Sequence, residues 1–338
     1  GLTFTTALSK NFLTKVNVNF MKMGTRSIYV FIIGAIIAIG FLSTRGLSSG
    51  IDFTGGRNYV IEFEQKGVTP EQVQKAVAEK VNAKDPNATV SAIAITTTSN
   101  EAVRLSTNYR IADDNENIDQ EVERFIFDAL HDAKLINADY QTFIDRDNHT
   151  GGSIISAQKV GPTVAADMVR GAVTAVLLAL VAIFLYILVR FRNIAFSVGS
   201  VVALAFDTLL VIGVYSICWG WIGFSLEVDQ TFIGAILTVI GYSINDKVVV
   251  FDRMRENLQL HPTMKPFDLF NMSLNSTLTR TVMTSLTTLL VLLCIFILGG
   301  DSIRSFAFAM ILGVIFGTLS SIFLAAPIAY RTLSRKEK

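Results

Sequence analysis

The sequence predicts a six-helix membrane bundle that carries one small α+β domain. Three observations predict it. The 338 residues are 51% apolar and only 17% charged, whereas an average soluble domain carries about a quarter charged residues. Six stretches of about 18 or more residues hold few charges, the length needed to cross about 30 Å of hydrocarbon. A polar block, residues 48–169, separates the first stretch from the other five.

The elements follow in order. Span one lies between Arg26 and Arg45, with a continuous apolar heart from Ile28 to Leu42. Alone it resembles the apolar stretch of a signal peptide, but five more spans follow, so it reads as an uncleaved anchor. Span two runs over about 171–189, bounded by Arg170 and Arg190. Span three covers about 194–219 and encloses one charge, Asp207. Span four covers about 230–251 and is interrupted by Asp246 and Lys247. Span five follows Arg280 at about 281–300, and span six covers about 305–330. The expected organisation is an N-terminal segment 1–26, span one at 27–44, the polar domain at 48–169, and spans two to six within 171–335.

The net charge of +1 argues against a nucleic-acid partner but hides an asymmetry. The polar block alone carries −8, and the rest of the chain +9. Lys10, Lys15, Lys22 and Arg26 precede span one, Arg190 and Arg192 join spans two and three, and Arg253, Arg255 and Lys265 lie between spans four and five. Arg331, Arg335, Lys336 and Lys338 close the chain, while the opposite connections are poor in bases. The positive-inside rule then predicts both termini in the cytoplasm and an extracytoplasmic polar domain. Trp219, Trp221 and Phe224 fall where an aromatic belt belongs.

Within the polar block, Asn58–Phe63 reads as a strand and Thr69–Val81 as a helix opened by Thr-Pro-Glu. Val90–Thr97 and Glu101–Thr107 read as a hairpin. Ile118–Leu135 shows helical spacing and Ser153–Val160 a last strand. The order β-α-β-β-α-β is ferredoxin-like, a fold that names no function by itself. At the N-terminus, Phe4, Leu8, Phe12, Val16 and Phe20 recur every four residues between lysines. They predict either an amphipathic helix on the inner leaflet or an unordered end. The chain opens on Gly without Met, which reads as a fragment or one half of a fused chain.

Chemistry is sought first at membrane depth, where an ionisable group costs at least ~2.5–3.5 kcal/mol. Asp246, Arg280 and Asp207 are the candidates. At 1.5 Å per residue, Asp246 and Arg280 share a level in the cytoplasmic third of the bilayer, and Asp207 falls in the outer half. Two stations for a proton follow, with water or side chains needed between them. Blander readings stand beside this one. Asp246 is the first charge of the inner boundary with Lys247 snorkelling, Asp207 a structural hydrogen-bonding group, and Arg280 a positive-inside anchor. Small and polar residues favour the functional reading. Gly199 and Ala203 share a face with Asp207. Gly234, Gly241 and Asn245 lie near Asp246, and Thr277, Thr281, Thr284, Thr287 and Thr288 stripe span five. Ser305, Ala309, Gly313, Gly317, Ser321 and Ala325 form a packing seam along span six.

Other chemistries lack their residues. The sequence has no GxxxxGK[ST] and no HExxH, and its three histidines lie outside the spans. Neither an enzyme nor a metal centre is expected. Cys218 and Cys294 read as small buried hydrophobes.

Three motifs carry a family resemblance. Asp52-Phe53-Thr54-Gly55-Gly56 follows span one. Ile240–Arg253 contains Gly241-Tyr242-Ser243-Ile244-Asn245-Asp246-Lys247 in span four. Thr277-Leu278-Thr279-Arg280-Thr281 precedes Thr284-Ser285 in span five, and Val160-Gly161-Pro162 precedes span two. In register with six spans, over roughly residues 15–335, they resemble the SecF family of the resistance-nodulation-division superfamily. That resemblance implies a bacterial inner-membrane translocase subunit, driven by the proton-motive force and without a bound cofactor, with sodium as an alternative coupling ion. It implies SecD, separate or fused, and SecYEG as partners, YajC and YidC as further ones, and unfolded preproteins as substrate. It implies that Asp246 and Arg280 belong to the proton pathway, pairing and separating as Asp246 changes charge, and Asp207 matches an acidic position of the family. Lys247 departs from the small or polar residue usual there and would favour an ionised Asp246 unless it points away. Asp52 and the glycines are expected to build a stiff turn, with Asp52 capping it. A small-molecule exporter of the same superfamily and a non-transporting scaffold of the Sec channel are the competing functions.

Overall fold

The computed structural model of the chain describes residues 18–65, 67–96, 101–113, 115, 117–147, 151–222 and 224–336. Of the amphipathic helix expected within residues 1–26, residues 1–17 lie outside them. Long helices form the bundle: α1 (Phe20–Thr44), α6 (Pro162–Phe191), α7 (Ile194–Cys218), α8 (Gln230–Leu260), α9 (Pro266–Leu298) and α10 (Asp301–Ser320). A π-helical segment, Ser321–Ala325, follows α10 and leads into α11 (Ala326–Lys336). Counting α10 through α11 as one span, six helices among the described residues are long and apolar enough to cross a membrane.

The polar domain holds α2 (Ile51–Thr54), β1 (Gly56–Glu62), α3 (Pro70–Lys84), β2 (Val90–Thr96), β3 (Glu101–Thr107), α4 (Ile118–Asp132), α5 (Tyr140–Ile144) and β4 (Ser153–Val160). Its sheet runs β2-β3-β1-β4 with every pair antiparallel, the ferredoxin-like arrangement. Thr69 starts α3 with a reciprocal capping box to Gln72. The apolar faces of α3 and α4, led by Val73, Val77, Val122 and Ile126, close over Tyr59, Ile61, Val103 and Leu105 of the sheet. The sequence reading lacks only the single-turn α2 and α5, which are too short to show a period.

Several helices run past the spans that hydropathy delimits. At 1.5 Å per residue, the 31 residues of α8 reach about 46 Å and the 33 of α9 about 50 Å. Both exceed a 30 Å hydrocarbon layer. Helix α1 starts at Phe20, not at residue 27, because that ring packs edge-on against Phe323, 5.6 Å away. Asn275 of α9 holds Val18 on both sides, accepting from its N–H and donating to its C=O, at 2.9 Å each. The end of the proposed surface helix is thus docked in the bundle, not laid on lipid.

Helices α7, α8 and α10 form the centre. Gly317 backs onto Ser243, where an added Cβ would lie 2.6 Å from the hydroxyl, and Gly313 backs onto Val239. The seam of span six therefore packs α10 against α8, and near Ala325 it meets Gly199 of α7. At the end remote from the polar domain, Phe191, Phe196, Phe251 and Phe270 form a ring cluster in which Phe196 stacks on Phe251 and Phe191 meets both edge-on. At the near end, Arg45 lies over Trp219 and Trp221 and donates to the carbonyls of Ile217 and Trp219.

Candidate functional site

The site is built from two consecutive residues of α8. Successive side chains on a helix point about 100° apart, so Asp246 and Lys247 enter different layers of the bundle. Lys247 is wholly buried, and its Nζ donates to Asp207 Oδ2 at 2.9 Å. It also donates to Ser243 Oγ, one turn back on its own helix, and to Ser320 Oγ at 3.0 Å. Both serine hydroxyls in turn donate to Asp207 Oδ2 at 2.8 Å. Asp207 Oδ1 is buried with no hydrogen-bond partner among the described residues. A side chain on a helix leans toward the N-terminus of that helix, which brings Lys247 back to the level of Ser243.

Asp246 turns toward α9 and α10. It is 3% exposed, and the Thr318 hydroxyl lies 3.5 Å from its Oδ2. Thr318 also meets Ser285 at 2.6 Å. No ion pair reaches Asp246 among the described residues. Thr318 and Ser320 stand at the end of α10, so one turn of that helix touches both polar layers, immediately before the π segment. Single π turns inside α-helices recur at functional sites. Neither Ser320 nor the π segment carries a sequence signal of its own.

Several expectations need correction. Asp207 is not an outer station far from Asp246, because Lys247 and Ser243 place it within about one turn of that level. Counting residues along one helix gives no level relative to another, and the contact of Asp207 with Ser243 of α8 sets it. Arg280 shares the level of Asp246, as counted, but its side chain is exposed and forms no ion pair among the described residues. Its neighbour Thr281 takes the inward position. Asn245, Gly234 and Gly241 also lie on the exposed face of α8, away from Asp246. Thr277, Thr284, Thr287 and Thr288 donate to carbonyls of their own helix, which engages their protons and removes the expected open hydroxyl stripe. Cys294 is exposed, not buried.

Arg280, Asn245 and the small residues form an exposed face of their own. Tyr242 donates to the Thr284 carbonyl at 3.2 Å and to Thr288 Oγ1 at 3.1 Å. Asn245 lies about one turn along α8 from Tyr242, and Arg280 one turn back along α9 from Thr284. The two polar side chains therefore share a level on adjacent helices.

The Asp52–Gly56 motif ties the site to the polar domain. The Gly50 N–H donates to the Val228 carbonyl at 2.9 Å, and the Val228 N–H to the Ser48 carbonyl at 2.7 Å. Asp52 Oδ2 accepts from the Gln230 N–H at 3.1 Å, so it caps α8 and not its own turn. Gly55 has φ +73° and Gly56 φ +155°, with Pro162 close to the first and the Thr107 carbonyl close to the second. Only glycine enters this joint without strain. The helix carrying Asp246 and Lys247 thus begins on the turn that leads into the polar domain. Phe53 packs in the same cluster as Phe232, and Thr54 donates to the Gly50 carbonyl.

Fold and site define a class: a polytopic membrane bundle with buried charge, hydrogen-bonded at one end to an inserted ferredoxin-like domain. Comparison with known proteins agrees. The family described as protein export membrane protein SecD/SecF, C-terminal, matches residues 143–335, and the SecD/SecF GG motif matches residues 40–66. The chain is 39% identical over 316 residues to protein translocase subunit SecF of Rhodothermus marinus, covering 91% of each chain. It is 33% identical over 319 residues to the Haemophilus influenzae protein of that name, covering 94% of this chain and 87% of that one. The crystal structure of SecDF from Thermus thermophilus superposes with a TM-score of 0.74 at 33% identity, over 97% of this chain and 40% of that one. The chain belongs to the SecF family of protein translocase subunits.

Proposed function

We propose that this chain is the proton-coupled SecF half of a Sec export motor, acting with SecD to promote late translocation of preproteins through SecYEG. The observation that carries the reading is Asp246: a carboxylate buried in the bundle that forms no ion pair among the described residues, on the helix whose first turn is hydrogen-bonded to the turn that leads into the polar domain. Adding or removing its proton changes the charge at the contact with Thr318. A rigid α8 transmits a shift there to Gln230 and Asp52. One elementary charge moved through 100 mV is worth ~2.3 kcal/mol, a bias of about fiftyfold in a two-state element.

The exposed Arg280, level with Asn245 on a face of small residues, supports assembly with a second membrane half. An arginine at membrane depth is stable against lipid only at high cost, and small residues admit a partner helix closely. The SecDF neighbour, a chain more than twice as long, is named for both halves, which points to SecD as the cover of this face. The distribution of bases supports a bacterial cytoplasmic membrane setting with both termini inside.

The test is proton-dependent preprotein export in vesicles containing the complete complex, with and without an uncoupler. Asp246→Asn is expected to abolish the uncoupler-sensitive fraction. Gradient-dependent export persisting at the full rate in that variant would end this reading. Replacing external sodium at constant potential separates sodium from proton coupling.

A further inference from the structure

We propose that Lys247 is a positioning residue for the Asp246 cycle: its ammonium group is a tethered counter-cation that holds Asp207 out of proton exchange, leaving Asp246 as the single exchanging carboxylate. This inference rests on the reading of Asp246 above and deepens it.

The geometry carries it. An ammonium group has three donors, and Lys247 has three acceptors in place, one from each of α7, α8 and α10. Every member of the cluster is at most 1% exposed. Asp207 Oδ2 receives the ammonium and both serine protons, so this oxygen is saturated in its charged form. A small residue at position 247 would leave Asp207 buried with no cation. A buried carboxylate without a cation takes up a proton or a soluble cation instead. The side chain at 247 therefore decides whether the bundle holds one proton-exchanging carboxylate or two.

Among the described residues, the surroundings supply no substitute for that cation. Asp207 is the ionisable group of α7 facing the cluster, and α8 adds Lys247 and Asp246. Arg280 of α9 is exposed, and Arg190 of α6 pairs with Asp252 at the remote end. Helix α10 contributes only hydroxyls, Ser320 to the pair and Thr318 to Asp246. Tyr215 is engaged by Ser305 and Tyr242 by Thr284.

The experiment measures export rate against external pH for the complete complex in vesicles, in four variants. Lys247→Met is expected to lose at least tenfold, because it strands Asp207, and to recover several-fold with methylammonium added to both sides. Lys247→Met with Asp207→Asn removes both charges. It is expected to export within about threefold of the parent, with the midpoint of the pH profile unmoved. Lys247→Ser is expected to broaden the profile as Asp207 joins the exchange. Asp246→Asn is the control for the underlying reading and loses all gradient dependence. Should the doubly neutral variant fold and assemble yet export no better than Lys247→Met, or shift the midpoint, Asp207 itself carries protons and the inference is overturned while Asp246 keeps its role. If the doubly neutral variant fails to assemble, the exchanged pair Asp207→Lys with Lys247→Asp decides by the same criteria. Full activity of Asp246→Asn would instead remove the underlying reading.

Discussion

Lys247 Nζ lies 2.9 Å from Asp207 Oδ2, although its chain neighbour is another buried carboxylate, Asp246. Helical phase explains the choice. Residues 246 and 247 point about 100° apart, one toward α9 and α10 and the other toward α7 and α10. A buried pair offers weak net stability, but removing one partner strands the other charge at about 3–5 kcal/mol. Asp207→Ala is expected to show a loss of that size in thermal unfolding in detergent. A loss below about 1 kcal/mol would mean that Lys247 finds another acceptor.

The α8–α10 contact predicts a suppressible defect. A methyl group on Gly313 runs into both methyls of Val239, and such overpacking costs about 1–3 kcal/mol. Gly313→Ala should lower stability by this amount, and adding Val239→Ala should return most of it. Additive losses in the double variant would place the strain elsewhere.

The glycine joint predicts a local defect. A Cβ on Gly56 would lie 2.9 Å from the Thr107 carbonyl, at a φ that side chains seldom adopt. Gly56→Ala should reduce hydrogen-exchange protection along β1 and β3 while α8 to α10 keep theirs. Uniform protection would show that the joint accommodates the methyl.

The contact between sheet and bundle predicts a pH dependence of stated sign. Glu227, in the connection between α7 and α8, sits 3.7 Å from Arg104 of β3. Burial pushes its carboxyl above the ordinary glutamate value, and Asp229 and Asp52 add to this while Arg104 opposes it. A carboxyl raised in the folded state stabilises that state below the unfolded value, and the contribution fades as pH rises through the folded one. Corrected for intrinsic exchange, protection of the Val228 N–H should fall with rising pH over this window. Glu227→Gln should flatten the slope, and an unchanged slope would assign it to another group.

The polar domain has the opposite sign at Asp119. Burial alone would raise its carboxyl, but hydrogen bonds from Lys159 and Arg57, with their charges, hold it below the ordinary value. Its contribution is present above the unfolded value and is lost on acidification. Arg57 is 1% exposed, so Asp119→Ala strands a buried cation. It should cost about 1.5–3 kcal/mol, the range for a hydrogen bond to a charged group, at neutral pH and less in acid, read by unfolding over a pH series.

Much of this was legible in the sequence because it is local. The strands and helices of the polar block follow from periods of 2 and 3.6, and Thr69 with Gln72 marks the start of α3 directly. The Gly55–Gly56 turn follows from residue type. The seam through Gly313 and Gly317 appears as a four-residue repeat. What failed was direction and depth. Asn245 and Arg280 were near Asp246 in sequence motif and in level, yet both turn outward. Asp207 was placed by counting along its own helix, whereas its bonds to Ser243 and Lys247 across helices set its level.

The sequence by itself determined six spans, one ferredoxin-like insertion and a family, because hydropathy, period and motif are properties of neighbouring residues. The tertiary structure alone decided that Lys247 answers Asp207, that Asp246 forms no ion pair among the described residues and that Arg280 faces out. A helix fixes the angle between successive side chains but not what surrounds it. That depends on how α7, α8 and α10 close on one another, through Gly317 against Ser243 and the π turn that follows Ser320.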